Sequence, residues 1–186
     1  MPRTMTLIQE VNAALAHEMG REEKIVLLGE DVGGNGGGFR APQGLFEAYG
    51  EERVIDTPLN ESGIVGMAFG TALHGLHPVV EIQFADFIWP PFDQIPSEVT
   101  KFRYKSAGMF TLPMVIRTPF GGGTRGGHYH SQSIESHFAH TAGIGDVTLI
   151  AYGAMVPVCG RAAGGAADAG ISAEVIDLRH ALPILS

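Results

Sequence analysis

Short apolar segments alternate with helical ones along this chain, and this alternation limits the possible folds more than any other feature. Helical connections between successive strands normally bring those strands back parallel to one another. The sequence therefore predicts an α/β fold with an open, doubly wound and mostly parallel sheet, and with ligands at the carboxyl ends of the strands. The predicted strands are residues 24–31, 53–58, 77–84, 112–120, 146–153 and 172–179.

The predicted helices lie between these strands. An amphipathic pattern over residues 7–19, followed by Gly20, is typical of a helix with a glycine stop. Residues 85–108 are predicted to be mostly helical, residues 133–140 form a short predicted helix, and residues 154–170 form a helix rich in small side chains. A further helix, over residues 61–76, has the most informative composition.

This helix contains Gly63, Gly66 and Gly70 at spacings of three and four, so one of its faces is nearly bare backbone. Each glycine costs about 1 kcal/mol relative to alanine in a helix. Such a face can receive another backbone at close range, for example the equivalent helix of a second subunit. The only acid of the helix, Glu61, lies in its first turn. A carboxylate there also complements the helix dipole, so a purely structural role stays open.

The composition argues against several classes of protein. The 186 residues are 45% hydrophobic, enough for a substantial core, and carry a net charge of −8 with no basic cluster larger than residues 101–105. Nucleic-acid binding is therefore not expected. The single cysteine, Cys159, excludes an internal disulfide and fits a reducing compartment. No signal-peptide core and no apolar run of about 18 residues is present, so we expect a cytoplasmic protein that does not span a membrane.

Familiar nucleotide and hydrolase motifs are weak or absent. Gly121, Gly123 and Gly126 match G-x-G-x-x-G, but a polar segment follows them instead of a helix that could pack on the sheet. The dipeptide Gly-Lys of a P-loop does not occur, and no G-x-S-x-G elbow surrounds Ser131 or Ser133. The glycine-rich segment therefore predicts a loop and not a dinucleotide site.

Four histidines, His128, His130, His137 and His140, lie within thirteen residues. One interpretation is a zinc hydrolase, because zinc accepts imidazole ligands, but the loop setting and the lack of a nearby cysteine thiolate weaken it. We favour a polar loop with one functional histidine. His130 is the best candidate, since it follows the glycine-rich loop and precedes Ser-Gln-Ser, whose side chains can hold it by hydrogen bonds.

Two strings of residues carry a resemblance to a known family. They are "DTPLNESGIVGMAFGTALHGLHPVVEIQFADFIWPPFDQI" (residues 56–95) and "MVIRTPFGGGTRGGHYHSQSIESHFAHTAGI" (residues 114–144). Over residues 4–144 the chain resembles the beta subunit of the thiamine-diphosphate-dependent decarboxylating component of 2-oxo acid dehydrogenase complexes. "YHSQS" and "EIQFADF" are more similar to the branched-chain members than to the pyruvate members, and acetoin-type enzymes are close.

The resemblance implies a pyrimidine-type thiamine-diphosphate-binding domain and a role for each matching residue. Glu61 corresponds to the acid that shares a proton with a ring nitrogen of the cofactor's pyrimidine, which a poorly solvated carboxyl can do. Phe87 corresponds to the aromatic residue that stacks on the pyrimidine, and Leu59 and Gln83 correspond to residues that line its pocket. His130 corresponds to a histidine near the reactive carbon, where it assists decarboxylation or transfer to lipoyl.

The resemblance also implies that this chain supplies half of a site. In the family, the diphosphate and Mg²⁺ are held by a G-D-G motif on an alpha subunit, and residues 29–31 and 145–147 here do not match that motif. No metal site is therefore expected in this chain. The implied partners are an alpha subunit in an α₂β₂ assembly, a second beta subunit, and a lipoyl-bearing acyltransferase core.

The chain departs from the family after residue 144. Residues 1–144 correspond to the pyrimidine-type domain, whereas residues 145–186 resemble the start of the family's carboxyl-terminal domain, so a stretch between the two is missing and the first domain is truncated. Either the sequence omits that stretch or a deletion has joined the two parts. In the second case the strand–helix–strand tail could complete the first domain's sheet. The sequence does not decide among branched-chain, pyruvate and acetoin substrates. A non-catalytic α/β module that serves only subunit contacts is also an open interpretation.

Overall fold

The computed structural model of the protein describes residues 5–123, 125–139, 141, 147–151 and 173–177. It divides into two compact units, Met5–Ile134 and a second unit that contains the residues from Glu135 onward.

The first unit is built on a parallel sheet of four strands in the order β2-β1-β3-β4. Because the second strand lies on one side of the first and the later strands lie on the other, the order reverses between β1 and β3. This is the arrangement of a doubly wound sheet, in which ligands bind beside the strands where the order reverses. The predicted α/β fold is confirmed. The strands are β1 Ile25–Gly29, β2 Val54–Asp56, β3 His77–Glu81 and β4 Val115–Arg117.

Both faces of this sheet are covered, which explains why its central strands have continuous apolar runs. On one face, Val26 and Leu28 of β1 pack with Ile64 and Ala68. On the other face, Leu27 of β1 belongs to a cluster that also contains the following residues: Met19, Val32, Leu45 and Val54. Alternate residues of a single strand thus enter two cores.

The first two helices lie before and after β1. Helix α1, Leu7–Arg21, begins with a capping box in which Thr6 and Gln9 bond to each other's backbone N–H. Helix α2, Leu45–Tyr49, is a single short helix that the sequence analysis did not predict. It is tied to α1 because the hydroxyl of Tyr49 donates to the carbonyl of Ala16 at 2.7 Å.

Helix α3, Glu61–Leu73, carries the glycine face and ends three residues before the predicted limit. At its start, the Asn60 side chain accepts from the N–H of Gly63, and a Cβ on Gly63 would lie 2.8 Å from the Asn60 amide nitrogen. This glycine therefore permits the cap. At its end, Gly75 has φ +87°, and the N–H groups of Gly75 and Leu76 donate to carbonyls of the last turn. The left-handed glycine ends the helix in a Schellman motif.

Residues 85–108, predicted to be mostly helical, do not form one continuous helix. The structure has three short pieces there: a 3₁₀ helix Ala85–Ile88, a π-helical turn Ile95–Val99 and helix α4, Phe102–Lys105. Pro90, Pro91 and Pro96 explain the difference, because each proline lacks the N–H that a continuous helix needs.

The loop after β1, residues 33–38 and here called the glycine loop, is held beside β2. The N–H of Gly33 donates to Oδ1 of Asp56 at 2.7 Å. A Cβ on Gly33 would overlap the other oxygen of the same carboxylate, whereas a Cβ on Gly34 would have no atom within 4 Å. A glycine is thus required at position 33, because the backbone there lies against the Asp56 side chain. No such contact requires a glycine at position 34.

We expect Gly33→Ala to lower the free energy of unfolding by about 1–3 kcal/mol, because the new methyl group displaces the Asp56 carboxylate from its hydrogen bond. Gly34→Ala is the matched control in the same loop and should change stability by less than about 1 kcal/mol, in either direction. Urea denaturation of both variants measures the difference. Equal effects of the two substitutions would contradict this account of Gly33.

The second unit contains helix α5, Glu135–Ala139, and two parallel strands, β5 Val147–Ala151 and β6 Ala173–Asp177. The described strands of the chain therefore form two sheets, one of four strands and one of two. The helix predicted over residues 154–170 lies outside the described residues. The division into domains, with a tail that completes the first sheet, stays a prediction. None of the helices in the described ranges is long and apolar enough to cross a membrane.

Candidate active site

The residues expected to carry function lie at and around the carboxyl ends of β1 and β3. These strands are neighbours, with Gly29 of β1 paired to Glu81 of β3 at their ends. Glu30 and Asp31 follow β1, and Gln83 follows β3, so polar side chains meet at the point where the strand order reverses.

Glu61 is the first residue of α3 and is half-buried. It shares a helix face with Ile64 and Val65, three and four residues further on, and both of these are buried. Among the described residues, its carboxylate forms no hydrogen bond or ion pair. The acid therefore lies at the edge of the packed helix face, and no basic side chain of the described chain neutralises it.

A second acid lies close enough to Glu61 to interact with its charge. Partial desolvation raises the pKa of the Glu30 carboxyl above its ordinary value, and the negative charges of Asp31 and Glu61 raise this pKa further. The end of β1 and the start of α3 thus carry neighbouring acidic side chains, and their charges favour the protonated form of Glu30.

Four rings form a cluster beside these strands. Phe84 is at its centre, with ring centroids 5.4 Å from Phe39, 5.5 Å from Phe87 and 4.5 Å from His130, all in edge-to-face arrangements. Phe87 and His130 also meet at 5.5 Å. Phe87 packs on the core cluster that includes Ile64 of α3, so the rings and the first turns of that helix rest on the same core.

His130 is oriented by its own loop. Its Nδ1 lies 2.8 Å from the carbonyl oxygen of Gly126, and because a carbonyl only accepts, Nδ1 carries the proton. In the neutral ring, Nε2 then carries the lone pair. The following segment is also fixed, since the N–H of Gln132 donates to the buried carboxylate of Asp86 at 3.3 Å.

The structure brings two of the residues singled out from the sequence into direct contact. Phe87 and His130 are in contact, and Gln83 directly precedes Phe84, the central ring of the cluster. Leu59 is different, because it lies before α3 with 72% of its surface exposed and packs in neither core cluster. The roles assigned to these residues stay predictions.

Sequence reasoning missed one feature of the site, a buried ion pair between the ends of neighbouring strands. Glu81, at the end of β3, is only 3% exposed and pairs with Arg117 at the end of β4. Burial raises the pKa of Glu81, and the Arg117 guanidinium and the N–H of Gly38 oppose that rise. Each of the two predicted strands 77–84 and 112–120 contains a charged residue of opposite sign, Glu81 and Arg117. This signal could have revealed the pair, because a charge buried in a sheet needs a partner.

The histidine cluster does not form a metal site in the part of the chain that the structure describes. No three His, Cys, Asp or Glu side chains among these residues are placed to hold a metal ion. His140 lies outside the described residues. The zinc-hydrolase interpretation therefore gains no support.

Comparison with known proteins assigns the fold. A family model described as "Transketolase, pyrimidine binding domain" matches residues 3–166. Among solved structures, a chain described as "Split gene transketolase, inactive beta4 tetramer" superimposes with a TM-score of 0.52 at 20% identity, covering 91% of this chain and 70% of that chain. At this identity the likeness concerns the fold alone.

Curated relatives are more similar in sequence. "2-oxoisovalerate dehydrogenase subunit beta" from Bacillus subtilis is 50% identical over 140 residues, which are 75% of this chain and 43% of the relative. The protein of the same name from Pseudomonas aeruginosa is 48% identical over 76% of this chain and 40% of its own length. The chain thus matches less than half the length of these two relatives.

A third relative is matched over nearly the whole chain. "Pyruvate dehydrogenase E1 component subunit beta" from Staphylococcus epidermidis is 35% identical over 239 residues, which cover 97% of this chain and 74% of the relative. An alignment of 239 positions is longer than a chain of 186 residues. The relative therefore has residues without a counterpart here, as expected if an internal stretch is missing.

Proposed function

Because the chain belongs to the transketolase pyrimidine-binding family, among the beta subunits of 2-oxo acid dehydrogenases, we propose that it forms the pyrimidine half of a thiamine-diphosphate site. The reaction is the oxidative decarboxylation of a 2-oxo acid and transfer of the acyl group to lipoyl. Branched-chain 2-oxo acids are the first substrate class to test, since the 2-oxoisovalerate relatives are 50% and 48% identical over about three quarters of this chain.

The observation that carries the proposal is the environment of Glu61. Its carboxylate is half-buried, has no ionic partner in the described residues, and lies on a helix face whose core also supports Phe87. A pyrimidine ring needs a carboxyl group beside a ring nitrogen and an aromatic surface against its face. Glu61 and Phe87 are of the right chemical types for these two contacts.

The chain's own residues would act mainly by placing and holding protons. Bound thiamine diphosphate would supply the nucleophilic carbon and the electron sink. Glu61 would hold a proton at its carboxyl oxygen against a pyrimidine nitrogen. His130, with its proton at Nδ1, presents Nε2 as the atom that can accept a proton from substrate or donate one when charged.

The proposed site is completed by partners. The diphosphate and Mg²⁺ would be held by an alpha subunit in an α₂β₂ assembly, and a lipoyl-bearing acyltransferase core would receive the acyl group. A cytoplasmic location belongs to the same proposal, with the single cysteine as its support.

Co-expression with a matching alpha subunit tests the proposed function. The purified complex should decarboxylate 2-oxo acids only when thiamine diphosphate and Mg²⁺ are added, and assays with 2-oxo acids of increasing side-chain size should give the highest kcat/KM for branched substrates. A complex that assembles and binds thiamine diphosphate but has no such activity would favour the non-catalytic subunit-contact module.

The glycine face of α3 makes a separate prediction about assembly. A Cβ on Gly66 would come no closer than 3.7 Å to another atom, and a Cβ on Gly70 would have none within 4 Å. Neither glycine is therefore required by the described part of this chain. Gly70→Ala should raise the stability of the isolated subunit by about 0.5–1 kcal/mol, because alanine is the better helix former.

In the assembled complex the same substitution should act in the opposite direction. We expect Gly70→Ala to weaken association about tenfold or more, measured by analytical ultracentrifugation, since a methyl group would fill the space for a second backbone. Thr71→Ala, which also improves helix propensity but lies on another face, is the control. Unchanged association of Gly70→Ala would show that the bare face is not an interface.

A further inference from the structure

The glycine loop is held at both ends by carboxylates, and the two attachments differ. At the first end, Asp56 accepts one hydrogen bond, from Gly33. At the second end, Glu81 has two donors, because its Oε2 pairs with Arg117 and its carboxylate also accepts from the N–H of Gly38. Because Glu81 is buried, bulk water does not take the place of a donor that no longer bonds to its carboxylate.

The contact between Glu81 and the glycine loop is close. A Cβ on Gly37 would lie 2.5 Å from Oε1 of Glu81, and Gly37 has φ +75°, a conformation that favours glycine. The second carboxylate oxygen therefore lies directly against the backbone of the loop. Glu81 fixes the position of this backbone as well as neutralising Arg117.

The residues that Glu81 fixes lie over the candidate site. A Cβ on Gly38 would be 3.5 Å from Cβ and Cγ of Gln83, an ordinary van der Waals distance. The next residue, Phe39, places its ring 5.4 Å from that of Phe84, which in turn contacts His130 at 4.5 Å. The short segment 37–39 is thus packed against Gln83 and the ring cluster.

We propose that Glu81 is a positioning residue that holds segment 37–39 against Gln83 and Phe84 and thereby sets one wall of the pyrimidine site. This inference rests on the proposed function. Glu81 acts through the loop and not by touching the cofactor. The Arg117 guanidinium favours the ionised form of the carboxylate, in which both oxygens accept hydrogen bonds.

Glu81→Gln tests this role, because an amide of the same shape has only one acceptor oxygen for the two donors. If Arg117 occupies that oxygen, the amide NH₂ faces the N–H of Gly38. Both groups are donors, so no hydrogen bond forms and the loop is released. Asp56→Asn is the matched control: it removes the same charge at the other end of the loop, but its remaining oxygen still accepts from Gly33.

Hydrogen–deuterium exchange of the α/β complex without cofactor gives a readout that does not depend on activity. We expect peptides covering residues 36–39 to exchange about tenfold faster in Glu81→Gln, with the β1 and β3 core unchanged, and to exchange as in the wild type in Asp56→Asn. If exchange in Glu81→Gln is accelerated equally in the loop and in the core, Glu81 has a general structural role and the proposal is overturned. An unchanged exchange rate of the loop peptides would also overturn it.

The link to the site is measured by titrating each complex with thiamine diphosphate in the presence of Mg²⁺. We expect the Kd of Glu81→Gln to rise about tenfold, the factor for loss of one charged hydrogen bond. If Glu81→Gln does not fold, Phe39→Leu, which removes the ring and leaves the ion pair intact, should give a similar rise. A wild-type complex that binds no thiamine diphosphate overturns the proposed function and this inference with it. Equal affinities of wild type and variant overturn this inference alone.

Discussion

Replacing Arg117 by methionine is expected to destabilise the folded chain by about 3–5 kcal/mol, because it leaves the Glu81 carboxylate buried without its cation. Glu81 is 3% exposed, so water cannot replace the lost partner. The free energy of unfolding is measured by urea denaturation of the isolated subunit. The double variant Glu81→Gln/Arg117→Met should recover most of the loss, since it buries no charge.

The loss should also depend on pH in a defined direction. Burial raises the pKa of Glu81 above its ordinary value of 4.5, and removing Arg117 removes a group that lowers it. In the variant the folded chain therefore binds more protons than the unfolded chain between pH 4.5 and the raised pKa, and stability falls as pH rises through this window. We expect a smaller deficit at pH 5 than at pH 8. A deficit that is independent of pH, or equal in the single and double variants, would contradict this account of the pair.

Replacing Glu61 by glutamine is expected to reduce kcat of the reconstituted complex by about 10²–10⁴-fold, the usual contribution of a positioned proton-transfer group. Glutamine preserves the shape of the side chain and its ability to form hydrogen bonds, but it has no carboxyl proton to exchange. Assembly and cofactor affinity should change little in comparison. Steady-state kinetics together with gel filtration separate the two kinds of effect.

The control for this substitution is Glu10→Gln. Glu10 is likewise an acid in the first turn of a helix, α1, so a change in helix-dipole complementarity affects both variants similarly, by about 0.3–1 kcal/mol of stability. Only Glu61→Gln should lose turnover. If both variants keep full activity, the carboxylate at position 61 is a helix-end charge and the catalytic assignment fails.

Much of the first unit was predictable because its signals are local. The apolar segments 24–31 and 77–84 predict buried parallel strands, and the structure has β1 and β3 within them. Phe87 and His130, far apart in sequence, were both assigned to one site and lie in contact. That assignment came from the resemblance to a family. Periodicity alone would not have placed the two rings together, since it contains no information on contacts between distant segments.

The features that were missed depend on individual residues that override periodicity. Gly75 ends α3 early because its left-handed backbone satisfies the last carbonyls, and the prolines near residue 90 divide the next predicted helix. The pairing of Glu81 with Arg117 depends on which strands are neighbours. That order, β3 beside β4, became known only with the fold.

In the proposed site, Glu61 controls a proton on the pyrimidine ring of a cofactor that another subunit helps to hold. The most direct measurement is the rate of hydrogen–deuterium exchange at the reactive thiazolium carbon of bound thiamine diphosphate, followed by NMR after acid quench. This rate should be fast in the wild-type complex and at least about a hundredfold slower in Glu61→Gln, with the Glu10→Gln complex like the wild type. Equal exchange rates in the wild-type and Glu61→Gln complexes would contradict the account.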